Sequence, residues 1–262
     1  NFMMGLGYRP YSTKMRELSI GANAGFLFGT LQHAIGVTTT SQANSTSVVH
    51  ELTVRGLYLN FGAQYTHRLN AIRSITVGAP FQPQLNLSVN TEEIKLSTDT
   101  IQLFDKYRND IKSPMKFGVG LSYNVARQLM VSAEYEITEW SGVSGFQTDL
   151  STSQDVFTDV HRFAVGAEYI PKANTNRFWQ NCRYRVGANT KNSYIQIDDT
   201  KLREYAVTAG LSMPVNRRCF LDFSLGYSRL QPSKNNMLGE NYLTFSLGVT
   251  FNEMMFFRNK LR

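Results

Sequence analysis

The sequence predicts an all-β fold: an antiparallel up-and-down transmembrane β-barrel, with about 11 strands in this chain and about 14 in the intact protein. Three observations predict it. The first is residues 242–251, Y-L-T-F-S-L-G-V-T-F, in which Leu243, Phe245, Leu247, Val249 and Phe251 fall on one face and Tyr242, Thr244, Ser246, Gly248 and Thr250 on the other. That is a strand of period two. Its second face is small and uncharged, which suits a wet enclosed interior better than the outside of a water-soluble sandwich. Its length matches the ~9–11 residues that a tilted strand needs to cross the hydrocarbon. The second observation is a short pattern that recurs along the chain, as I-G-A-N-A at Ile20, F-G-A-Q-Y at Phe61, V-G-L-S-Y at Val119, V-G-A-E-Y at Val165 and L-G-V-T-F at Leu247. It writes apolar residues outward and Gly or small polar residues inward, and a helix would not tolerate so much glycine. The third is an alternation of tight turns with long polar loops, the mark of the two ends of an outer-membrane barrel.

Composition fits a membrane without a membrane helix. Mean hydropathy is −0.27, and no run approaches the ~18 uninterrupted apolar residues of a spanning helix. Barrel strands hide their apolarity in alternation. The chain begins at Asn1 in strand-like residues, so it reads as a mature or truncated piece.

Taken in order, strands are expected near residues 2–8, 17–30, 52–66, 73–82, 115–125, 128–140, 160–170, 182–190, 203–214, 219–230 and 241–251. Tight turns fall at 69–71, 124–127 and 215–217, and long loops at 41–44, 90–114, 141–159, 191–201 and 231–240. An odd strand number disagrees with the even counts of single-chain bacterial barrels, so N-terminal strands are expected to be absent. The domains expected are a barrel over 1–251, an extracellular loop with a short helix at 91–114, and a periplasmic tail at 252–262. In that loop Asp99 and Gln102 form a capping box, and Ile101, Phe104, Tyr107 and Ile111 follow at helical spacing. Such a helix buries its apolar face on neighbouring loops, captures a greasy ligand, or meets a partner.

The net charge of +7 invites a nucleic-acid reading. We set it aside, because the basic residues (Arg9, Lys14, Arg16, Arg68, Arg73, Arg127, Lys172, Arg177, Arg217, Arg218, Arg258 and Lys260) gather in turns and not on one aromatic-studded face. Strand parity turns Glu134, Glu136, Glu168, Arg183, Arg185 and Asp222 inward. There they either pair across strands and hold the wall together or form a head-group site, with Arg183 and Arg185 open to a carboxylate. Tyr58, Met130 and Phe220 are further lumen candidates.

Pro80 and Pro83 remove ladder donors after Gly78, which marks either a strand that has left the membrane or a local gap for lateral exit. Cys182 and Cys219 begin strands separated by one other, roughly 9–10 Å apart from the strand spacing, beyond disulfide reach. His33 and His50 fall nearly opposite on one hairpin but lack a third metal ligand. No catalytic constellation, cofactor motif or metal cluster is present in the sequence, so no enzyme is expected.

Several segments together resemble the FadL/TodX family of outer-membrane transporters for hydrophobic compounds: E-L-S-I-G-A-N-A-G-F-L-F-G at 17–29, F-G-A-Q-Y-T-H-R-L at 61–69, the V-G-A-E-Y strand, and the end over 240–260. The resemblance implies a fourteen-stranded barrel with a hydrophobic path, a side opening and an N-terminal plug. The plug and first strands of that pattern are missing here, so no gating residue carries over. The expected location is the outer membrane of a Gram-negative bacterium, with the C-terminus periplasmic. Expected partners are outer-membrane lipid, a hydrophobic small molecule such as a long-chain fatty acid, and other outer-membrane proteins or lipoproteins. Two functions follow: passive uptake of hydrophobic molecules, or a non-transporting structural or accessory subunit of a multiprotein outer-membrane machine.

Overall fold

The structure is a computed structural model that describes residues 1–38, 45–97, 100–126, 128–143, 156–172, 175, 177–197, 200–216, 219–234 and 238–251. The expected C-terminal tail at 252–262 lies outside the described residues, as do Arg127, Arg217 and Arg218 of the basic turns. The strands are β1 (Phe2–Ser12), β2 (Arg16–Thr38), β3 (Ser45–Arg68), β4 (Arg73–Gln82), β5 (Asn86–Ser97), β6 (Thr100–Lys112), β7 (Met115–Val125), β8 (Leu129–Glu139), β9 (Val156–Phe157), β10 (Val160–Tyr169), β11 (Arg183–Ile197), β12 (Thr200–Pro214), β13 (Cys219–Pro232) and β14 (Glu240–Phe251). The one described helix is a single turn, α1 (Phe178–Asn181). The main path of the sheet runs β1-β2-β3-β4-β7-β8-β10-β11-β12-β13-β14, each pair antiparallel. This is the up-and-down order of a barrel wall, and its eleven strands match the eleven expected segments. Among the described residues β1 and β14 are not paired with each other, so the sheet is open.

Register converts the sequence alternation into two faces, because paired residues share a side. One row runs Gly62, Gly21 and Gly7 across β3, β2 and β1. Another runs Glu168, Arg185, Gly210 and Ser224 to Ser246 across β10 to β14. This inner face carries the glycines, hydroxyls and charges. The outer face carries Val165, Ala188, Val207, Tyr227 and Leu243 in one continuous row. Outer side chains of β14 stand free: Leu243 is 74% exposed and Phe245 68%. A water-soluble body does not leave a sheet of large apolar side chains bare; a bilayer covers them.

The described residues of 91–114 are not a helix, and Asp99 of the expected capping box lies outside the described residues. The described ones lie in a β-hairpin made of β5 and β6. The pairing Gln82↔Lys116 below and Asn86↔Lys112 above keeps one register, so β4–β5 and β6–β7 form one long hairpin interrupted near Pro83 and Pro114. Leu85 and Ser113 bridge the break, with Leu85 N donating to Ser113 Oγ at 2.9 Å and Ser113 N to Leu85 O at 2.8 Å. On the other side, β3 passes from Phe61↔Phe81 to Gly56↔Leu87, five steps on β3 against six on its partner. The extra residue is a bulge, and it swaps which parity faces inward. Leu87, Val89 and Thr91 therefore join Gly56, Val54 and Leu52, and Ile111 pairs with Leu87. Val89 is 1% exposed and Ile111 6%, a small dry patch on an otherwise open sheet. The opposite face holds Ser88, Arg108 and Asp110, with Asp110 accepting from Ser88 and Lys106 2.5 Å from Glu92. The period that reads as helical in sequence is a two-residue period shifted once near Glu93, where the β5–β6 register slips.

Candidate functional site: the inner wall

The inner face of β7 to β13 is a ladder of charge. Nearest the short-turn end, Arg185 of β11 lies directly across from Glu168 of β10, Nε to Oε2 at 2.7 Å. Its other nitrogen, Nη1, donates to Ser212 Oγ at 2.9 Å and approaches Asp222 at 3.8 Å. Asp222 accepts from Ser212 and from the Thr250 hydroxyl, the latter at 2.7 Å. Ser212 is 1% exposed, held between cation and anion. Beside them the Arg183 guanidinium lies 4.6 Å from the Phe220 ring centre, a cation–π contact. Further along, Glu134 pairs with Arg162 at 2.9 Å, Glu136 with Lys116 at 2.8 Å and Lys191 with Glu204 at 3.1 Å.

The register thus turns Glu134, Glu136, Glu168, Arg183, Arg185 and Asp222 to one face and brings their strands together. Met130 sits on the same face opposite Glu168. Tyr58 is on that face too, opposite Gly25, with its hydroxyl 3.5 Å from Asn60 Nδ2. Lys116, Arg162, Lys191 and Glu204 complete the network; counting by two along the same strand from Glu168 and Arg185 reaches Arg162 and Lys191, whereas Lys116 and Glu204 stand on neighbouring strands and join through register. Opposite charges satisfied in this way hold neighbouring strands in register, and little remains over for a ligand. Single exposed pairs contribute ~0–1 kcal/mol each, so the wall gains more from several acting together.

The inner face of β1 to β4 is different. It presents Gly5, Gly7, Gly21, Gly25, Gly62 and Gly78 with Asn23, Gln64 and Thr76. Its described charges sit at the short-turn rim, where Glu17 meets Arg9 at 2.9 Å and Arg68 at 3.6 Å. A Cβ built at Gly7 or Gly62 would meet nothing within 4 Å.

Pro80 lies in the β4 wall opposite Gly62, and the rungs from Ala79 and Pro80 to β7 are missing between Gly78↔Gly120 and Phe81↔Phe117. The Pro80 ring packs where a Gly118 side chain would stand, 3.1 Å from the position of its Cβ. Pro83 falls in the break between β4 and β5. Ile101, Phe104 and Tyr107 belong to the backbone of β6, and their side chains lie outside the described residues; Ile111 is buried on the inward side of the hairpin.

Cys182 and Cys219 are free thiols, with β12 between their strands. Burial against α1 leaves Cys182 without solvent contact and pushes its thiol up from the ordinary range. His33 and His50 are directly paired in register on β2 and β3. No group of three metal-ligating side chains occurs among the described residues.

A family profile named BamG spans residues 1–262. The chain belongs to the BamG family. Among curated proteins none matches. Several solved structures resemble this BamG-family chain. A Pseudomonas aeruginosa FadL homologue aligns with 13% identity and a TM-score of 0.55, over 95% of this chain and 67% of its own. The CymD monoaromatic hydrocarbon channel aligns with 12% identity and a TM-score of 0.46, over 95% and 82%. The toluene transporter TbuX of Ralstonia pickettii aligns with 18% identity and a TM-score of 0.49, over 96% and 69%. The likeness to the FadL homologue is one of fold, and the expected kinship with FadL-type channels holds at that level; the family is BamG.

Proposed function

We propose that this BamG-family chain is a non-transporting accessory subunit of a multiprotein outer-membrane machine, without enzymatic activity. Membership of the BamG family over the whole chain carries the reading, since that name follows the lettering of a BAM complex. The inner wall supports it. An uptake path for a fatty acid needs a continuous apolar track, and here six strands turn paired charges inward, from Lys116–Glu136 to Arg185–Asp222. In this reading the chain lies in the outer membrane of a Gram-negative bacterium with the short turns and the C-terminus toward the periplasm. Partners, other outer-membrane proteins or lipoproteins, grip the rims or the tall β2–β3–β5–β6 extension.

The competing reading is uptake, with a hydrophobic molecule entering among the long hairpins and leaving sideways near Pro80. One preparation separates them. The full-length protein, tagged and extracted from its native outer membrane in mild detergent, is expected to elute with a stoichiometric protein partner. In liposomes it should pass a fluorescent fatty acid no faster than empty vesicles do. A chain that purifies alone and carries the fatty acid would reverse the assignment.

A further inference from the structure

A groove of about 930 Å³ opens where β8, β10, β11, β12 and β13 end toward the long hairpins. Its lining includes Tyr135, His161, Phe163, Asn192, Arg203 and Tyr205. Register places all of these on the outer face. Tyr135, Phe163, Thr190, Tyr205 and Arg229 form one cross-strand row. Arg203 sits beyond that row, between Asn192 and Gln231. On its other side comes the bare apolar row of Val165, Ala188, Val207, Tyr227 and Leu243. Along the strands the surface therefore passes from aliphatic to aromatic to cationic. That is the order in which a bilayer passes from acyl chain to interface to head group.

The cations of this border have no carboxylate of their own. Lys201, Arg203 and Arg229 are exposed and form no ion pair among the described residues. The nearby carboxylates are engaged elsewhere. Glu204 faces inward on Lys191 at 3.1 Å, and Asp159 accepts from the Ser141 N–H at 3.0 Å. The polar floor is fixed. His161 N donates to Asn192 Oδ1 at 2.7 Å, Asn192 Nδ2 donates to Asp159 O at 2.7 Å, and Tyr135 Oη lies 2.8 Å from His161 Nδ1. Among the described residues the inner-face cations Lys116, Arg162, Arg185 and Lys191 each pair with a carboxylate, whereas Lys201, Arg203 and Arg229 on this stretch of outer face do not.

We infer that this groove binds the phosphorylated head group of a lipid of the surrounding membrane. Arg203 and Lys201 take the phosphate oxygens, with Arg229 beside them, and the acyl chains lie over Phe163, Tyr205 and Val207. Guanidinium and ammonium donors suit phosphate, and anionic lipid recruits unpaired basic groups at the membrane surface. The site holds whether or not the chain has protein partners.

The test is native mass spectrometry of the full-length protein in mild detergent, with three added probes: dioleoyl phosphatidic acid, dioleoylglycerol and inorganic phosphate. Phosphatidic acid should be retained and dioleoylglycerol lost. Inorganic phosphate should neither bind nor displace the lipid. The variant K201Q/R203Q/R229Q should weaken phosphatidic acid retention about tenfold or more, since charge-assisted bonds are removed. The variant K172Q/R177Q, at the opposite end of the wall, should bind as the parent does and controls for general loss of charge. Heat-dependent gel mobility checks that both variants remain folded. Equal retention by parent and triple variant overturns the site. So does equal retention of dioleoylglycerol, or binding of inorganic phosphate alone. Should the triple variant not fold, R203Q alone is read against the same two outcomes.

Discussion

The two halves of the wall are built on different inner faces beneath the same outer one. From β7 to β13 neighbouring strands are tied by cross-strand charge, as in Glu168–Arg185–Asp222 and Lys116–Glu136. From β1 to β4 they meet through Gly21↔Gly7 and Gly62↔Gly21, with hydroxyls such as Thr66 and Thr76 bonded at 3.0 Å. Both halves turn large apolar side chains outward, Phe61 and Ile20 in one and Val165 and Val207 in the other, and the same face continues into Phe245 and Leu247 of β14. The lipid side is therefore set by the solvent. The interior is free to differ: one half is a finished, self-satisfied surface and the other leaves room close to the backbone. In the second half that room is local: it lies at Gly7 and Gly62, where an added Cβ meets nothing within 4 Å, and not at Gly5, where it would meet the Asn23 side chain.

The largest effects should ignore this difference. Leu247→Arg in β14 and Phe61→Arg in β3 each put a cation on the lipid face, and each should lose ~2–4 kcal/mol near the bilayer midplane. Reversible denaturant unfolding in a lipid bilayer measures it. A variant as stable as its parent would mean that its side chain meets something other than acyl chains, and the shared outer face would be lost as the basis of the comparison.

Substitutions of inner glycines should then separate the halves. Gly187→Val in β11 brings its Cβ to 3.0 Å from Thr208 Oγ1 and 3.4 Å from Val165 O, so it should cost ~1–3 kcal/mol by overpacking. Gly62→Gln in β3 enters open space and should stay within ~0.5–1 kcal/mol. Equal costs in the same unfolding assay would show that the glycine half is as filled as the other.

Smaller still is the loss of one cation from the charged half. Arg185→Leu leaves Glu168 and Asp222 without the cation they share, and because the site is partly exposed the cost should be ~1–2 kcal/mol. Combining Arg185→Leu with Glu168→Gln should cost less than the sum of the single changes. Strict additivity in that double-mutant cycle would mean that the ladder contributes no coupling, and both halves would then be held by backbone pairing alone.

Much of this architecture is visible in the sequence, because in a barrel strand one period encodes both faces. From Leu243 to Phe251 the alternation alone gives strand, length and inside from outside. The same counting turns Arg185 and Asp222 inward. What the alternation does not carry is register. Glu168 and Arg185 become partners only once β10 and β11 slide to Gly166↔Gly187, and nothing within either strand specifies that offset. The 91–114 segment misleads for a related reason. Its single-residue slip near Glu93 breaks the two-residue period, and Ile101, Phe104 and Ile111 then fall at spacings that mimic a helix. The unpaired Arg203 is a matter of omission. A cation is seen to lack a carboxylate only when every neighbouring strand is in place.

The smallest effect expected is at the seam above the charged half, where Asp159 tethers the turn after β8 to the start of β10. The Ser141 N–H donates to its Oδ1 at 3.0 Å and holds the carboxyl below the usual carboxylate range, with the hydroxyl of Ser141 adding to it. A depressed folded value means that the tether contributes above the ordinary carboxylate pKa of ~3.9 and is lost as pH falls through the lower folded value. Near neutral pH it should therefore be constant, and below about pH 4 it should release. Trp140 reports on it directly, stacked 4.6 Å from Tyr194 beside the same turn. In a Trp179→Phe background its fluorescence should be flat from neutral pH down to about pH 4 and change below that. Asp159→Asn should abolish the acid step while the charged ladder beneath stays intact. An acid transition of equal size in Asp159→Asn would place the titrating group elsewhere, and the seam would then not be held by this carboxylate.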